Sequence, residues 1–383
     1  MAASMPGQGS TAALSLRDKE IASSALSLRD HALAALDSGY LRVAAALAEQ
    51  GLTTLDAANL VGGPDEATVL IAMAEIDEEL GQFATATASI ARAIALLGGE
   101  TGPGPQDGDC LLLWCQAQER LAGLERLSGD SEGAVARLTM VLDAASDAFG
   151  ESSPAVVSAA NALGVVYKFA ADLGAADAAY ERALAAAGGM ACADPLTQAS
   201  LLHNLGGLAH SRGDAQAGIP LAERGLALRA GALGTRHPDV ARDNNALGAL
   251  YHLAGRYPDA DIAYRQALAV FESSYGPDHF EVAMTCANLA VLCADQERFA
   301  AAESLGRRAL RIFEAVLGPG DAETGLTVLN LATAVAGLGR RAEAASLATR
   351  AEATLAARLP AGHPHLAVAR ASREALTYLA RAS

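Results

Sequence analysis

Two stretches set the pattern of small, apolar and polar positions for the whole chain. They are residues 234–268 (GTRHPDVARDNNALGALYHLAGRYPDADIAYRQAL) and 276–310 (GPDHFEVAMTCANLAVLCADQERFAAAESLGRRAL). Gly248 of the first matches Ala290 of the second, 42 residues on. Further steps of 42 reach Ala332 in one direction and Gly206, Gly164 and Ala122 in the other. The next unit back sits 48 away at Ala74, and another 42 reaches Ala32. Twelve residues after each of these stands a second small residue: Ala44, Ala86, Ala134, Ala176, Gly218, Ala260, Ala302 and Ala344. Eight further on, the residue is large and apolar from Leu52 through Ile94, Leu142, Leu184, Leu226 and Leu268 to Leu310, and then Glu352.

A period of this length predicts a repeat architecture, and missing it would miscall the fold. Each unit predicts two antiparallel helices, A and then B. A short turn joins them, as at Ala254-Gly255-Arg256 and Leu338-Gly339-Arg340, where glycine suits the left-handed conformation that ends a helix. The first small position lets helix A approach its own helix B; the second lets helix B approach the next helix A. No single pair buries its apolar face alone, so the pairs must stack. Between units lie loops such as Gly276-Pro277-Asp278-His279 and Thr235-Arg236-His237-Pro238-Asp239, where proline closes one helix or opens the next. The expected fold is all-α: a right-handed α-solenoid of about eight helix pairs plus a C-terminal capping helix. The expected parts are a flexible tail 1–13, two acidic repeats over 14–97 and a Gly/Pro-rich loop 98–109. Six repeats over 110–362 and a capping helix over 363–383, running to about Leu379, complete it. Glu374 falls on the capping helix where the small residue would stand, as expected of a helix that receives no further neighbour.

Composition agrees with stacked helices. Hydrophobic residues make up 51% and aromatics only 4%, and runs alternating β-branched or aromatic with polar residues are scarce. No apolar stretch approaches the roughly 18–20 residues that span a bilayer. The first twenty residues lack a basic start and apolar core, so a cytoplasmic location is expected. The net charge is −16, with 8 basic against 21 acidic residues in 1–150 and 20 against 23 in the rest. Such a chain is repelled by nucleic acid and by anionic membranes, and neither is expected as a partner.

The spacing Leu247-Gly248…Tyr251…Gly255…Tyr257…Ala260…Tyr264…Ala267 resembles the tetratricopeptide repeat consensus. The 42-residue period, the Gly-Pro-Asp-His loop and the recurring Asn-Leu-Gly/Ala resemble the kinesin-light-chain subfamily. The resemblance is specific over 150–355 and remains in phase over 20–145. It implies that helix A lines a concave groove for unstructured peptides, with asparagines holding the peptide backbone. The matching residues are Asn204, Asn288 and Asn330, with Asn161 and Asn245 one residue earlier in phase. No heptad-repeat segment precedes the array, so a bacterial relative of the repeat is expected and not a motor subunit.

On helix A the spacing i, i+3, i+4, i+7 gathers one face. It holds Asn161, Val165 and Lys168 in one unit, Ser200, His203, Asn204, Gly207 and His210 in the next, then Arg242, Asn245, Ala249 and His252. This face is polar and mildly basic inside an acidic protein. It is expected to receive a protein or peptide ligand, with Arg242 and Lys168 pairing an acidic segment or a C-terminal carboxylate. Read more plainly, these are solvated helix positions. The competing reading is an enzyme or metal site at His203, His210 and His252, though their spacing matches no H-E-x-x-H motif. A self-assembling structural protein is the third reading, and homo-oligomers stay open.

Other residues carry less chemistry. Glu75, Asp77, Glu78 and Glu79 form an acidic face, read as solvated, with a cation or basic-peptide site as the alternative. His237, His279 and His363 are read as structural loop residues. Five cysteines (Cys110, Cys115, Cys192, Cys286, Cys293) show neither a disulfide framework nor zinc spacing, and Cys286 and Cys293 are expected in the core. Trp114 is expected on a buried helix A, with an exposed dimer contact as the alternative. Loop 98–109 lacks Gly-Lys-Ser/Thr and no Gly-x-Ser-x-Gly occurs, so no cofactor is expected.

Overall fold

The computed structural model describes residues 16–37, 40–100, 102, 104–188, 194–359 and 361–381. The expected tail 1–13 and Cys192 lie outside the described residues. Among the described residues there are α-helices and no strand. The A helices are α1 (Leu16–Asp37), α3 (Pro64–Glu79), α5 (Gly108–Ser128), α7 (Pro154–Phe169), α9 (Pro195–Ser211), α11 (Pro238–Leu253), α13 (Phe280–Asp295) and α15 (Ala322–Gly337). The B helices are α2 (Leu41–Ala57), α4 (Phe83–Leu97), α6 (Ser131–Phe149), α8 (Leu173–Ala186), α10 (Ala215–Leu233), α12 (Tyr257–Tyr275), α14 (Phe299–Val316) and α16 (Arg341–Ala356). A last helix, α17, spans Pro364–Arg381.

The chain forms two compact units that part inside α5, between Leu121 and Ala122. In the first, α1 packs on α2 and α3 on α4, while α3 also meets α1 and α2. Gly99 and Glu100 of the Gly/Pro-rich loop are tied down here. Trp114 is fully buried and donates its indole N–H to the Gly99 carbonyl at 2.9 Å; Gln118 donates to the Glu100 carbonyl at 3.1 Å. Trp114 is thus a core residue, and the dimer-contact alternative does not stand.

In the second unit α8, α10, α12, α14 and α16 each pack on their own A helix and on the next helix, and α6 packs on α7. Successive A helices also touch, α7 on α9, α9 on α11, α11 on α13 and α13 on α15. Among the described residues no two successive B helices pack to that extent, so the A helices line the inner side of the stack. The architecture is an α-solenoid.

All sixteen small positions are buried. At the first, the volumes of helix A and helix B are complementary. A Cβ on Gly248 would stand 2.8 Å from the Tyr264 ring, and one on Gly164 2.5 Å from the Tyr180 ring. Gly206 faces Ala222 instead, at 3.5 Å. Where helix A carries Ala290, helix B offers Gly306. The second small position works as expected: a Cβ on Gly218 of α10 would collide with Leu250 of α11 at 2.5 Å.

The junctions recur in the same register. Residues 129, 171, 213, 255, 297 and 339 all turn from A to B with positive φ, and Ala171 (62°) and Glu297 (59°) do so without being glycine. A side chain there costs about 1 kcal/mol, which the flanking helices must offset. Ser153, Asp194, His237, His279 and Asp321 each accept a backbone N–H at the start of an A helix. His363 accepts the His365 N–H in the same way, so the three loop histidines serve as helix caps. Glu352, which replaces the apolar residue of the last pair, meets Arg370 and Arg373 of α17. Glu374 is exposed.

Two glycine substitutions should move stability in opposite directions. Gly248→Ala forces the Tyr264 ring aside and should cost about 1–3 kcal/mol. Gly206→Ala meets only ordinary contact and should gain up to about 1 kcal/mol of helix propensity. Urea unfolding of both variants reads the difference; equal effects would show that the Gly–Tyr contact does not limit helix approach.

Candidate functional site on the A-helix face

The face begins with paired amides. Asn204 of α9 donates its side-chain N–H to Asn161 Oδ1 of α7 at 2.8 Å, and Asn288 of α13 donates to Asn245 Oδ1 of α11 at 3.2 Å. Partners are 43 residues apart, because neighbouring A helices meet with a one-residue offset. The phase displacement seen along the sequence is therefore the geometry of the pair. All four amides are half-buried. Asn330 of α15 is exposed and joins no such bridge, since Ala287 holds the corresponding place on α13.

A buried carboxylate anchors the middle of the face. Asp243 of α11, 3% exposed, shares its two oxygens. Oδ1 lies 2.7 Å from Nδ1 of His203 on α9, and Oδ2 accepts from Nε of Arg229 on α10 at 2.8 Å. Three helices from two pairs are thus locked by one side chain. His252 is 2.7 Å from Oδ2 of Asp295 on α13. Arg242 is already neutralised: it donates to Asp239 at 2.6 Å, to Glu281 at 2.8 Å and to the Tyr275 hydroxyl at 3.3 Å. Its expected part as a charge partner for a ligand would require breaking those bonds.

Lys168 and His210 differ from these. Burial, with the nearby Arg126 charge, pulls the Lys168 amine down to about 8. Partial desolvation lowers the His210 imidazole, with Lys168 and His252 adding to it. Among the described residues neither has a carboxylate partner within ion-pairing distance.

The three histidines do not gather. His203 is held by Asp243 and His252 by Asp295, each on a different helix pair. Among the described residues no three His, Cys, Asp or Glu side chains are grouped so as to hold a metal ion. In place of the metal-site alternative at His203, His210 and His252, the structure pairs His203 with Asp243 and His252 with Asp295. Cys286 and Cys293 are fully buried, and burial pushes both thiols up; burial pushes Cys115 up to about 12. All three pack as core residues. In the first unit Arg120 answers Glu75 at 2.5 Å and Glu78 at 3.3 Å, so part of the acidic face is internally paired.

Sequence reasoning missed Asp243, Arg229 and Asp295. No period marks them, since each is needed at one junction only. Arg126 was legible, because it stands 42 residues before Lys168.

Stacked helix pairs that present one polar A-helix face define a helical-repeat scaffold of the α-solenoid class. The family model for the tetratricopeptide repeat matches residues 115–188, 197–273, 244–315 and 281–357. The chain belongs to the tetratricopeptide repeat family. Among solved structures, it is similar to a Rap protein complexed with competence and sporulation factor. The TM-score is 0.64 at 12% identity, over 89% of this chain and 88% of that one. It is also similar to the signal-transduction ATPase PH0952 from Pyrococcus horikoshii, which has a tetratricopeptide repeat sensor. There the TM-score is 0.53 at 12% identity, over 88% of this chain and 49% of that one. BtubC (BKLC) from P. vanneervenii is 23% identical over 63% of this chain and 93% of its own, with a TM-score of 0.47. At these identities the likenesses show the fold alone. No curated protein sequence matches.

Asp243→Ala should leave Arg229, itself 12% exposed at its side chain, buried without a counter-charge. The expected loss is about 3 kcal/mol of unfolding free energy. His203→Ala, which removes the more exposed partner, should cost about 1 kcal/mol. Denaturant unfolding reads both, and equal small losses would show that Asp243 does not lock the three helices.

Proposed function

We propose that the chain is a non-catalytic binding scaffold that holds an extended peptide segment of a partner protein along its A-helix face. The observation that carries this reading is the pair of amide bridges, Asn161–Asn204 and Asn245–Asn288, set in the same register two repeats apart. Each bridge uses one N–H and one oxygen, leaving further donors and acceptors on all four amides. An extended backbone carries unpaired N–H and C=O groups in alternation, and primary amides answer both kinds. The half-buried setting of the amides reduces the entropy lost on binding, because the bridges already hold them in place. A protein of similar fold, the Rap protein, is complexed with competence and sporulation factor. Among the described residues no helix is long and apolar enough to cross a membrane, which leaves the stack open to a partner from solution.

A display library of random twelve-residue peptides, selected on the whole chain, tests the reading. Selected peptides should lose about tenfold or more in affinity when Asn204→Ala and Asn288→Ala are combined, at about 1 kcal/mol for each amide contact. Circular dichroism must show the variant folded. Failure to select any peptide, or selected peptides indifferent to both amides, would sink the proposal.

A further inference from the structure

From α8 to α16 one position of helix B recurs every 42 residues as arginine, with a single exception. Arg182 of α8, Arg224 of α10, Arg308 of α14 and Arg350 of α16 hold it, and Gln266 of α12 breaks the row. Three of these arginines reach back to the preceding B helix. Arg182 donates to the Ser146 hydroxyl of α6 at 3.0 Å, Arg308 pairs with Glu272 of α12 at 2.6 Å, and Arg350 pairs with Glu314 of α14. A second pair, Arg311 with Asp278 at 2.8 Å, spans the same junction as Glu272–Arg308. Between α10 and α12 both pairs are missing. Ala230 and Gln266 stand where Glu272 and Arg308 would, and Arg236 and Ala269 where Asp278 and Arg311 would. Among the described residues no hydrogen bond or ion pair joins α10 to α12, and Arg236 is exposed with no carboxylate partner.

At that junction, on the B-helix side of the stack, lies a groove of about 760 Å³. Val240, Leu247 and Tyr251 of α11 line it, with Leu226 of α10 and Val270 of α12 on either side. At one end the Tyr251 hydroxyl donates to Glu223 at 2.7 Å; at the other Arg236 stands just before α11. From Val240 to Tyr251 the helix advances about 16 Å. A single Glu–Arg pair spans the corresponding gap at the next junction. The width therefore suits one extended hydrocarbon chain and not a helix about 10–12 Å across.

We propose that this groove binds a free fatty acid, with its carboxylate on Arg236 and its chain lying along Val240, Leu247 and Tyr251. The site is separate from the amide face and does not depend on the peptide-binding reading. A hydrocarbon chain gains by leaving water for the apolar lining. The two ends of the groove carry opposite charge, which sets the direction of the ligand. Glu223, which already accepts the Tyr251 hydroxyl, repels a carboxylate. Arg236 offers a planar pair of donors that matches one. A chain of about twelve carbons fits the length of about 16 Å.

Calorimetric titration of the whole chain with octanoate, decanoate and dodecanoate, each below its micelle concentration, tests this. One molecule should bind per chain. Affinity should rise about threefold for each methylene buried, so dodecanoate should exceed octanoate by about tenfold or more. Decanol should bind about tenfold more weakly than decanoate, and Arg236→Gln, a change at an exposed loop residue, should erase that difference. Ala230→Glu combined with Gln266→Arg rebuilds the bridge of the neighbouring junction. With circular dichroism showing the variant folded, it should abolish binding of acid and alcohol alike. Asn204→Ala with Asn288→Ala should leave fatty-acid binding unchanged, which separates the fate of this site from that of the peptide face. Absence of binding overturns the proposal, as does an affinity independent of chain length or one that survives the rebuilt bridge. Decanol bound as tightly as decanoate overturns the placement of the carboxylate on Arg236. A neutral amphipathic helical peptide that displaces dodecanoate one for one would assign the groove to a partner helix instead.

Discussion

The close approach of helix A to helix B at one small residue per pair is the constraint on which the rest depends. Where Gly164 and Gly248 let a tyrosine ring lie against the helix backbone, the pair buries a large apolar surface in a narrow space. Where the ring is absent, as at Gly206 and Ala222, two small residues meet instead. In each case the summed volume suits the gap, and close packing leaves little tolerance for an added methyl group. The same spacing sets how far one A helix lies from the next. It thereby sets whether an amide on α7 can reach an amide on α9.

Polar groups on the inner face fall into two kinds. Some are spent on the fold: Asp243 ties α9, α10 and α11 together, and Arg242 bridges Asp239 and Glu281. Such buried or half-buried pairs fix register at a desolvation cost that good geometry offsets. Others keep unused hydrogen-bonding capacity, namely the bridged asparagines, and Lys168 has no carboxylate within ion-pairing distance among the described residues. This division separates a structural surface from a surface suited to a ligand, and it could not be drawn by residue type. Arg242 and Lys168 look alike in sequence, yet one is neutralised and the other is not.

Much of the fold was legible because repetition multiplies weak local signals. A single alanine says little, but sixteen small residues in two rows specify which faces touch. The structural part of His237, His279 and His363 was legible for the same reason, since they recur in one register, but their capping of the A helices was not. The asparagine row was legible in part. Its change of phase looked like a departure from the pattern, and only the one-residue offset between adjacent A helices explains it.

By itself, then, the sequence determined the repeat, the two helices of each unit and the identity of the inner face. Those follow from side-chain volume and periodicity, which act between near neighbours and recur at a constant spacing. Tertiary structure alone decided which polar side chains remain available. That depends on distances of about 3 Å between residues some forty positions apart, where one hydrogen bond separates an engaged group from an open one. The 42-residue period located the A-helix face; the contacts across it determined which of its charges are paired within the fold.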